Sequence, residues 1–587
     1  MSTRQRKIVR KESTGRRIIE QGRIRILCVG LFFCLCFGSI AVRMIEVAVI
    51  KNPRALKITV ADADGGDSEE VDVASSEKSL SRGDIVDRNG VLLATSLMTA
   101  SVFVNPREIK DMDEAAGKLA VVLKQDKAQL FKKLSSGKKF VWVKRNIGPA
   151  DQQAVNSLGI PGLYFLPEEK RVYPHGNMFA HALGYVGQDN KGLAGLEKSF
   201  DSRLRDAQGN RQPLALSLDV RLQAIMYNEI KQTMDDYHAI GATGMIMDVD
   251  SGEMLSMVSL PDFDPQKAGT ATDAQKFNRA SLGTYEMGST FKTFTSAMAL
   301  DYGTVNMKSG YDASRPFKIA TFTIADSHPK ARWLSVPEIY AFSSNIGTAK
   351  MALDVGTKKQ KAFMEKLGMF KPVDIELPEK AITLYPKDWK EINTVTISYG
   401  HGISVSPLHL LRGIAGVSSG YLPKLTLLKT DGKTSGERVV SEDTAKNVRR
   451  LMRLVVDHGT GSKADVPGYR VAGKTGTAEK NTGGRYDADA KVVSFVSVFP
   501  ADAPKYALLV MLDDPKGDKS TYGYATGGWM SAPVVGRVIA RMGPLMGMKP
   551  QFDVPEDDAE KFWTEKSDSP AHAPKIPPYL VQAVARR

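Results

Sequence analysis

Cysteine is almost absent from this chain, with three residues among 587, and all three (Cys28, Cys34 and Cys36) lie in one apolar stretch near the N-terminus. The rest of the chain therefore has neither a disulfide framework nor a cysteine-based zinc site. Histidine is also scarce, with eight residues, and the sequence contains no HExxH pattern and no Cys/His cluster. We therefore expect no metal ion and no cofactor.

The net charge of +14 is unevenly distributed along the chain. Residues 1–25 carry nine Lys/Arg and two Glu, so half of the net charge lies on this short segment. The remaining residues share the other half, which is unremarkable for a chain of this length. A basic N-terminal tail therefore explains the charge, and we expect no nucleic-acid partner.

The basic segment 1–25 leads into an uncharged apolar run, Ile26–Val42. Seventeen helical residues span roughly 25 Å, enough to cross most of the hydrocarbon core. Because Lys and Arg precede the run, the N-terminus should stay cytoplasmic and the rest of the chain be exported to the periplasm. A cleaved signal peptide is the alternative, with Ser39-Ile40-Ala41 as a weak cleavage site. The long charged region favours a retained single-pass anchor over residues 26–50, in the inner membrane.

The exported part divides by composition into four predicted segments. Residues 51–80 form a polar linker, 81–210 an N-terminal module, 211–545 a larger domain, and 546–587 a peripheral tail. In the first module, Asn89-Gly90 between apolar runs predicts a hairpin turn. In the large domain, Ala242–Val249 and Glu253–Ser259 predict a second hairpin, and strand-like runs return at Tyr469–Thr477, Lys491–Phe499 and Tyr506–Leu512. Strands at both ends with helices between them predict an α+β domain.

Three short motifs carry the candidate chemistry. Ser289-Thr-Phe-Lys292 precedes an apolar, helix-compatible run, which would place a hydroxyl and an amine one turn apart on the same helix face. Ser343-Ser344-Asn345 and Lys474-Thr475-Gly476-Thr477 follow in that order. Each is weak alone: S-x-x-K also occurs elsewhere in the chain, and Ser-Ser-Asn is also typical of a helix cap. Their order and spacing are much more specific. His401 is a further candidate near the site, although a structural histidine explains it equally well.

This ordered triplet resembles the superfamily of penicillin-binding proteins and serine β-lactamases. The resemblance covers residues 80–545 and narrows to class B penicillin-binding proteins on five further segments: Arg82–Ala94, Gly195–Asp201, Tyr285–Lys292, Ser494-Phe495 and Ala532-Pro533. The segment Gly195–Asp201, which begins Gly-Leu-Glu, resembles the division-specific FtsI type. Asn345 does so too, because the elongation type usually has Asp at this position. Met287 is a departure, since many relatives have Pro there.

The resemblance implies a penicillin-binding transpeptidase domain, preceded by a mixed α/β pedestal (dimerisation) module and one transmembrane helix. It also implies the site roles. Ser289 is the nucleophile, Lys292 its base, Ser343 a proton relay, and Asn345 holds the substrate backbone or orients Lys292. Lys474 and Thr475 bind the substrate carboxylate, and the charge of Lys474 would lower the pKa of Lys292. The strand that carries them continues through Gly476 to Thr477. The backbone N–H groups of Ser289 and Thr477 form the oxyanion hole.

The implied reaction cross-links peptidoglycan stem peptides. Ser289 attacks the D-Ala–D-Ala bond of a donor, D-Ala leaves, and an amine of a neighbouring stem peptide takes the acyl group. A β-lactam would acylate the same serine and stay attached. The FtsI type further implies an FtsW-like glycan polymerase and divisome proteins as partners.

Four alternatives stay open at this point. Gly468–Thr475 matches the P-loop pattern GxxxxGK[ST] of ATPases, although Gly476 opposes the helix that should follow. The chain could instead be an elongation-specific transpeptidase, a hydrolytic relative that releases D-Ala to water, or a non-catalytic β-lactam sensor or scaffold.

Overall fold

The computed structural model describes residues 3–45, 57–60, 69–72, 82–206, 212–432, 436–482 and 485–552. Most of the predicted 51–80 linker, and the tail from residue 553 onward, lie outside the described residues. The chain divides into two compact units, one of residues 1–80 and 98–169 and the other of residues 81–97 and 170–587. The predicted module 81–210 is therefore divided between both units, and its boundaries stay a prediction.

The strands are β1 Lys57–Val60, β2 Glu69–Asp72, β3 Ile85–Val86, β4 Leu92–Val104, β5 Val141–Ile147, β6 Leu163–Val172, β7 Leu214–Ala215, β8 Gly241–Asp248, β9 Met254–Leu260, β10 Gly310–Asp312, β11 Phe317–Ile319, β12 Phe322–Ile324, β13 Trp333–Ser335, β14 Tyr421–Leu422, β15 Glu437–Arg438, β16 Ala472–Thr482, β17 Arg485–Phe499 and β18 Tyr506–Asp513.

The helices are α1 Thr3–Ile45, α2 Met112–Leu123, α3 Lys127–Leu134, α4 Pro149–Asn156, α5 Ala180–Leu183, α6 Gly195–Ser199, α7 Asp201–Arg205, α8 Val220–Asp236, α9 Asp273–Lys276, α10 Lys292–Asp301, α11 Val336–Ala341, α12 Asn345–Val355, α13 Thr357–Lys366, α14 Glu391–Ser398, α15 Pro407–Ser419, α16 Glu442–Asp457 and α17 Gly527–Leu545. Short 3₁₀ turns cover Pro106–Glu108, Gly176–Phe179, Pro265–Thr270, Gly288–Phe291 and Ser462–Ala464.

Among the described residues, one helical segment is long and apolar enough to cross a membrane, Gly22–Met44, with a mean hydropathy of 2.3. Its 23 residues span about 34 Å as an α-helix, which matches a bilayer core. The segment belongs to α1, which begins at Thr3 and so includes most of the basic tail. Residues 46–50 of the predicted anchor lie outside the described residues.

Residues 98–169 form a small unit with its own apolar core. The later half of β4 pairs antiparallel with β5, with Ala100 opposite Ile147 and Val104 opposite Val141. Buried side chains of α2 and α3, such as Leu119 and Leu134, belong to the same core cluster as the strand residues Ala100, Val104 and Ile147. Asp111 caps α2 by accepting hydrogen bonds from two backbone N–H groups of its first turn, which satisfies donors that have no partner within the helix.

The second unit is built on a five-stranded antiparallel sheet of strand order β16-β17-β18-β8-β9. Both hairpins predicted from the sequence are present, β8–β9 and the β3–β4 pair around Gly90, whose φ is +85°. The sheet therefore joins segments that are more than 200 residues apart, which confirms the predicted α+β class.

The sheet is buried on both faces. In β18, Leu509 and Met511 belong to one core cluster, while Leu508 and Val510 belong to the other. Helices α8 and α17 contribute to the second cluster, and the helices between residues 292 and 457 contribute to the first. This two-sided burial explains why the central strand β18 is a nearly continuous apolar run without alternation of polar and apolar residues.

Candidate active site

The first motif lies at the start of a buried helix. Residues Gly288–Phe291 form a 3₁₀ turn that continues directly into α10, whose first residue is Lys292. Gly288 has φ +53°, and a Cβ there would lie 2.5 Å from the carbonyl oxygen of Thr477. Only glycine permits this approach, so the turn that presents Ser289 packs against the strand that carries the third motif.

The second motif lies in the turn between α11 and α12. Ser344 caps α12: its Oγ accepts from the N–H of Gly347 at 3.0 Å and donates to Asp326 Oδ2 at 2.7 Å. The cap expected for a Ser-Ser-Asn sequence is thus formed by Ser344. Ser343 adopts φ +60°, and its hydroxyl is available to the site. Asn345 Nδ2 donates to the carbonyl of Ala325 at 3.1 Å.

The third motif lies in β16, the strand at one end of the sheet order. Gly476 is enclosed: a Cβ would lie 2.4 Å from Ser494 Oγ and 2.8 Å from the carbonyl oxygen of Met287. The glycine therefore allows the strand to lie against the turn that precedes Ser289. Thr475 Oγ1 shares a 2.6 Å hydrogen bond with Thr460 Oγ1, and Thr477 Oγ1 accepts from the N–H of Gly527 at 3.3 Å.

The three motifs meet at one hydroxyl. Ser343 Oγ accepts a hydrogen bond from Lys292 Nζ at 3.0 Å and another from Lys474 Nζ at 3.1 Å. Lys292 Nζ also donates to the carbonyl of Ser343. Both lysine side chains are almost fully buried, with exposed fractions of 1% and 0%. A cleft of about 780 Å³ lies at this point, and the predicted residues that line it are Ser289, Ser343, Asn345, Thr475 and Thr477.

Two predicted contacts are not formed among the described residues. Lys292 Nζ donates to Ser343, and no hydrogen bond joins it to Ser289. Asn345 is held by Ala325, and no hydrogen bond joins it to Lys292 among the described residues. Catalytic hydrogen bonds are commonly long or absent before substrate binds, so the first observation is compatible with a base that engages Ser289 only in the complex.

Comparison with known proteins identifies the family. Residues 242–540 match the family described as "Penicillin binding protein transpeptidase domain", and residues 77–217 match "Penicillin-binding Protein dimerisation domain". The chain is 39% identical, over 90% of both chains, to "Probable peptidoglycan D,D-transpeptidase FtsI" of Caulobacter vibrioides. The chain belongs to the class B penicillin-binding proteins of the FtsI type.

Two further likenesses agree with this family. The chain is 32% identical to "Peptidoglycan D,D-transpeptidase FtsI" of Escherichia coli K12, over 80% of this chain and 85% of that one. A crystal structure of a peptidoglycan synthetase from Bifidobacterium adolescentis has the same fold, with a TM-score of 0.64 and 22% identity over 82% of this chain and 98% of that one. The P-loop alternative is wrong, because Lys474 and Thr475 lie inside a strand and do not open a helix.

The electrostatics of this candidate site favour a neutral amine. Burial lowers the pKa of Lys292 well below its usual range, and the nearby Lys474 ammonium lowers it further, whereas Asp326 acts in the opposite direction. Burial also lowers the pKa of Lys474 to about 7. An unprotonated lysine beside Ser343 is therefore accessible near neutral pH, as a general base requires.

Two residues at this cleft were not predicted from the sequence, Asp326 and Thr460. Asp326 holds the second motif through Ser344 Oγ and the N–H of Ile346 at 2.9 Å, but it lies in a loop with no recognisable pattern. Thr460 also lines the cleft without any sequence signal. His401 lines it too, and its Nδ1 lies 3.0 Å from Glu286 Oε2. His401 thus lies at the cleft, as a site residue would, and contacts Glu286, as a structural histidine would.

Proposed function

We propose that this chain is a serine-type peptidoglycan D,D-transpeptidase that is acylated through Ser289 and inhibited by β-lactams. The observation that carries the proposal is the pair of buried lysines that share Ser343 Oγ beside the cleft lined by Ser289. Burial of an amine disfavours its charged form, and the charge of Lys474 further disfavours that of Lys292. Such an arrangement is typical of a proton-transfer site.

The proposed mechanism assigns a role to each of these groups. Lys292, when neutral, removes the proton of Ser289 as its Oγ attacks the carbonyl carbon of the donor D-Ala–D-Ala bond. The backbone N–H groups of Ser289 and Thr477 stabilise the oxyanion, a contribution of roughly 3 kcal/mol per donor. Ser343, which accepts hydrogen bonds from both lysines, relays a proton to the departing D-Ala amine. The amine of a second stem peptide then attacks the ester and restores Ser289.

Substrate is held by the remaining motif residues. Thr475 lines the cleft beside Thr477 and binds the terminal carboxylate of the donor, together with the charge of Lys474. Asn345, fixed by Ala325, holds the donor backbone. No ATP is required, because the peptide bond that is broken supplies the energy of the bond that is formed.

Location and biological role are supported by α1 and by the relatives. The apolar segment Gly22–Met44, preceded by Lys and Arg residues, favours a single-pass inner-membrane protein whose N-terminus is cytoplasmic and whose bulk is periplasmic. Septal wall synthesis is supported by Asn345 and by the FtsI names of relatives. We therefore propose an FtsW-like polymerase and divisome proteins as partners. The elongation-specific role is the second candidate, and depletion separates the two: filamentous cells support septal synthesis, and rounded cells contradict it.

In vitro cross-linking tests the enzymatic proposal. The full-length protein in detergent is incubated with lipid II and a glycan polymerase, and the digested product is analysed for peptide dimers. We expect dimers with the wild type and none with Ser289→Ala. Penicillin binding without dimers would support the sensor alternative, and free D-Ala without dimers would support the hydrolytic one.

A further inference from the structure

Positive charge is concentrated on one short segment of the small unit. Residues 127–145 carry seven Lys/Arg and no Asp/Glu. Together with residues 1–25, which carry the other half, they account for the whole net charge of +14. The rest of the chain is therefore neutral as a whole, and this second concentration of positive charge takes no part in the proposed reaction.

Four of these seven cationic groups are unpaired. Lys127, Lys144 and Arg145 contact oxygen acceptors within the small unit. The other four are exposed, and among the described residues no carboxylate lies within 4.0 Å of them: Lys132, Lys133, Lys138 and Lys139. Ammonium groups so close in sequence repel one another, and an external polyanion would relieve that repulsion.

The four lysines flank a single turn. Two of them lie in the last turn of α3, which ends at Leu134, and the other two precede β5, which begins at Val141. Leu134 and Val143 belong to the same buried core, so both ends of the turn are fixed. Residues 135–139 between them are all exposed. The charges therefore lie on an exposed turn and not in a cavity, which suits an extended anionic surface.

Aromatic side chains adjoin the lysines. Phe140 follows the last lysine directly, and its ring packs on Phe103 and Trp142 at centroid distances of 4.7 and 4.8 Å. Tyr164 stacks on Phe103 at 5.5 Å, and Phe131 and Tyr164 are exposed. Trp and Tyr beside clustered basic residues are typical of the zone where a protein meets lipid headgroups.

Two observations favour a lipid surface over an acidic protein as the polyanion. The unpaired charges are all lysine, a residue that is depleted at protein–protein interfaces, where arginine is enriched. The compact unit that contains them also contains α1, the proposed membrane anchor. The anchor keeps lipid headgroups at a high local concentration around this unit.

We infer that residues 131–142 bind anionic lipid headgroups on the periplasmic face of the membrane that holds α1, and so hold the small unit against that surface. The inference rests on the proposed membrane location and is independent of the catalytic chemistry. Each lysine near an anionic surface strengthens binding roughly fivefold, so the four together provide a preference for anionic lipid on the order of several hundredfold.

Lysine acetylation in nanodiscs tests the inference. The full-length protein is reconstituted into nanodiscs of pure phosphatidylcholine or of an equal mixture with phosphatidylglycerol. It is treated briefly with acetic anhydride, and the acetylation rate of each lysine is measured by mass spectrometry after digestion. The measurement is made at low salt and at about 0.5 M salt, where the Debye length is roughly 4 Å.

We expect the four clustered lysines to react at least fivefold more slowly in anionic than in neutral discs at low salt, and equally in both at high salt. Lys358 and Lys361, which are exposed on α13, should react equally in both discs at either salt concentration.

A triple variant keeps one lysine of the cluster as a reporter. In Lys132→Gln/Lys133→Gln/Lys138→Gln, the protection of Lys139 by anionic lipid should fall below about twofold, since one charge remains of four. The matched control is Lys358→Gln/Lys361→Gln/Lys366→Gln on α13, which should keep the full protection of Lys139.

Three results would overturn the inference: equal acetylation of the cluster in both discs, protection that survives high salt, or full protection of Lys139 in the triple variant. The first would point to an acidic protein as the partner instead. Failure of the protein to enter nanodiscs would overturn the proposed anchor, and the inference with it. Fluorescent penicillin labelling in the same discs reports on the proposed function separately.

Discussion

Two buried lysine amines dominate the chemistry at the scale of single residues. Lys292 and Lys474 donate to the same oxygen of Ser343, at 3.0 and 3.1 Å, and neither side chain is solvated. Two charged amines so close together without water are unfavourable, so the pair loses a proton more readily than isolated lysines do. The folded protein thereby obtains a base from a residue that is ordinarily protonated.

The pH dependence of acylation follows from this pair. Only the unprotonated form of Lys292 can accept the serine proton, so the rate of acylation by benzylpenicillin should rise with pH, through a midpoint well below the usual lysine pKa of about 10.4. Lys474→Met removes the like charge that lowers the pKa of Lys292. We therefore expect the midpoint to move to higher pH in this variant, together with a lower maximal rate.

Lys480→Met is the matched control for that measurement. Lys480 lies on the same strand, but its ammonium is held by Asp513, so its removal should leave the midpoint unchanged. Stopped-flow acylation between pH 5 and pH 10 measures all three proteins. A midpoint in Lys474→Met that stays in place or moves to lower pH would contradict the assigned coupling.

Close approach between elements determines the geometry of the cleft at the next scale. At Gly476, β16 lies so close to Met287 and Ser494 that there is no room for a methyl group. We expect Gly476→Ala to push β16 away from the Ser289 turn and to reduce the rate of fluorescent penicillin labelling at least tenfold. As a comparison, Gly269→Ala, where a Cβ meets no atom within 4 Å and φ is not positive, should label normally. Normal labelling of Gly476→Ala would show that the turn and the strand are not held together there.

A buried ion-pair network joins Arg82, Arg171 and Glu197 within the second unit. The Glu197 carboxylate accepts from Arg82 Nε at 2.6 Å and from Arg171 Nε at 2.7 Å, and all three side chains are buried. Glu197→Gln leaves the buried Arg171 without its counter-charge and removes one of the two carboxylates that pair with Arg82, which keeps Asp201. The substitution should destabilise the protein by about 3–5 kcal/mol. Thermal unfolding of the full-length protein should show a Tm lower by several degrees. The surface variant Glu365→Gln should change stability by less than about 0.5 kcal/mol, and an equally small effect of Glu197→Gln would contradict the role of the network.

The sequence predicts strands and caps well where local chemistry decides them. The apolar runs around residues 242–259 and 491–512 predict strands, and the structure has them. The contacts of the site are harder to predict, since they depend on the packing of distant segments. No local pattern places Asp326 under Ser344, or Thr460 beside Thr475. The S-x-x-K spacing predicts that Ser289 and Lys292 share a face, but not that Lys292 hydrogen-bonds to Ser343.

At the scale of the whole molecule, α1 is the element expected to confine the chain to the membrane. Deletion of residues 1–45 should move the protein from the membrane fraction to the soluble fraction of the cell lysate. The Ser289 site lies in the other compact unit, so the truncated protein should label with fluorescent penicillin if it folds. If the truncated protein stayed in washed membranes, residues 1–45 could not be the sole membrane anchor.

The order of the motifs along the chain is what made the family predictable from sequence. Residues 289, 343 and 474 are separated by about fifty and then 130 positions, and only a fold that returns β16 to the Ser289 turn brings them together. Sheet pairing of β16–β18 with β8 provides that return. No comparable sequence pattern marks where the 81–210 module divides between the two compact units. Contacts between residues far apart in the chain define that division.

Mass spectrometry of the acylated protein tests the central claim most directly. The full-length protein is incubated with benzylpenicillin and digested, and the peptide that carries the added mass is sequenced. The account predicts one modified residue, Ser289, and no adduct in Ser289→Ala. An adduct on another residue, or an adduct that persists in Ser289→Ala, would contradict it.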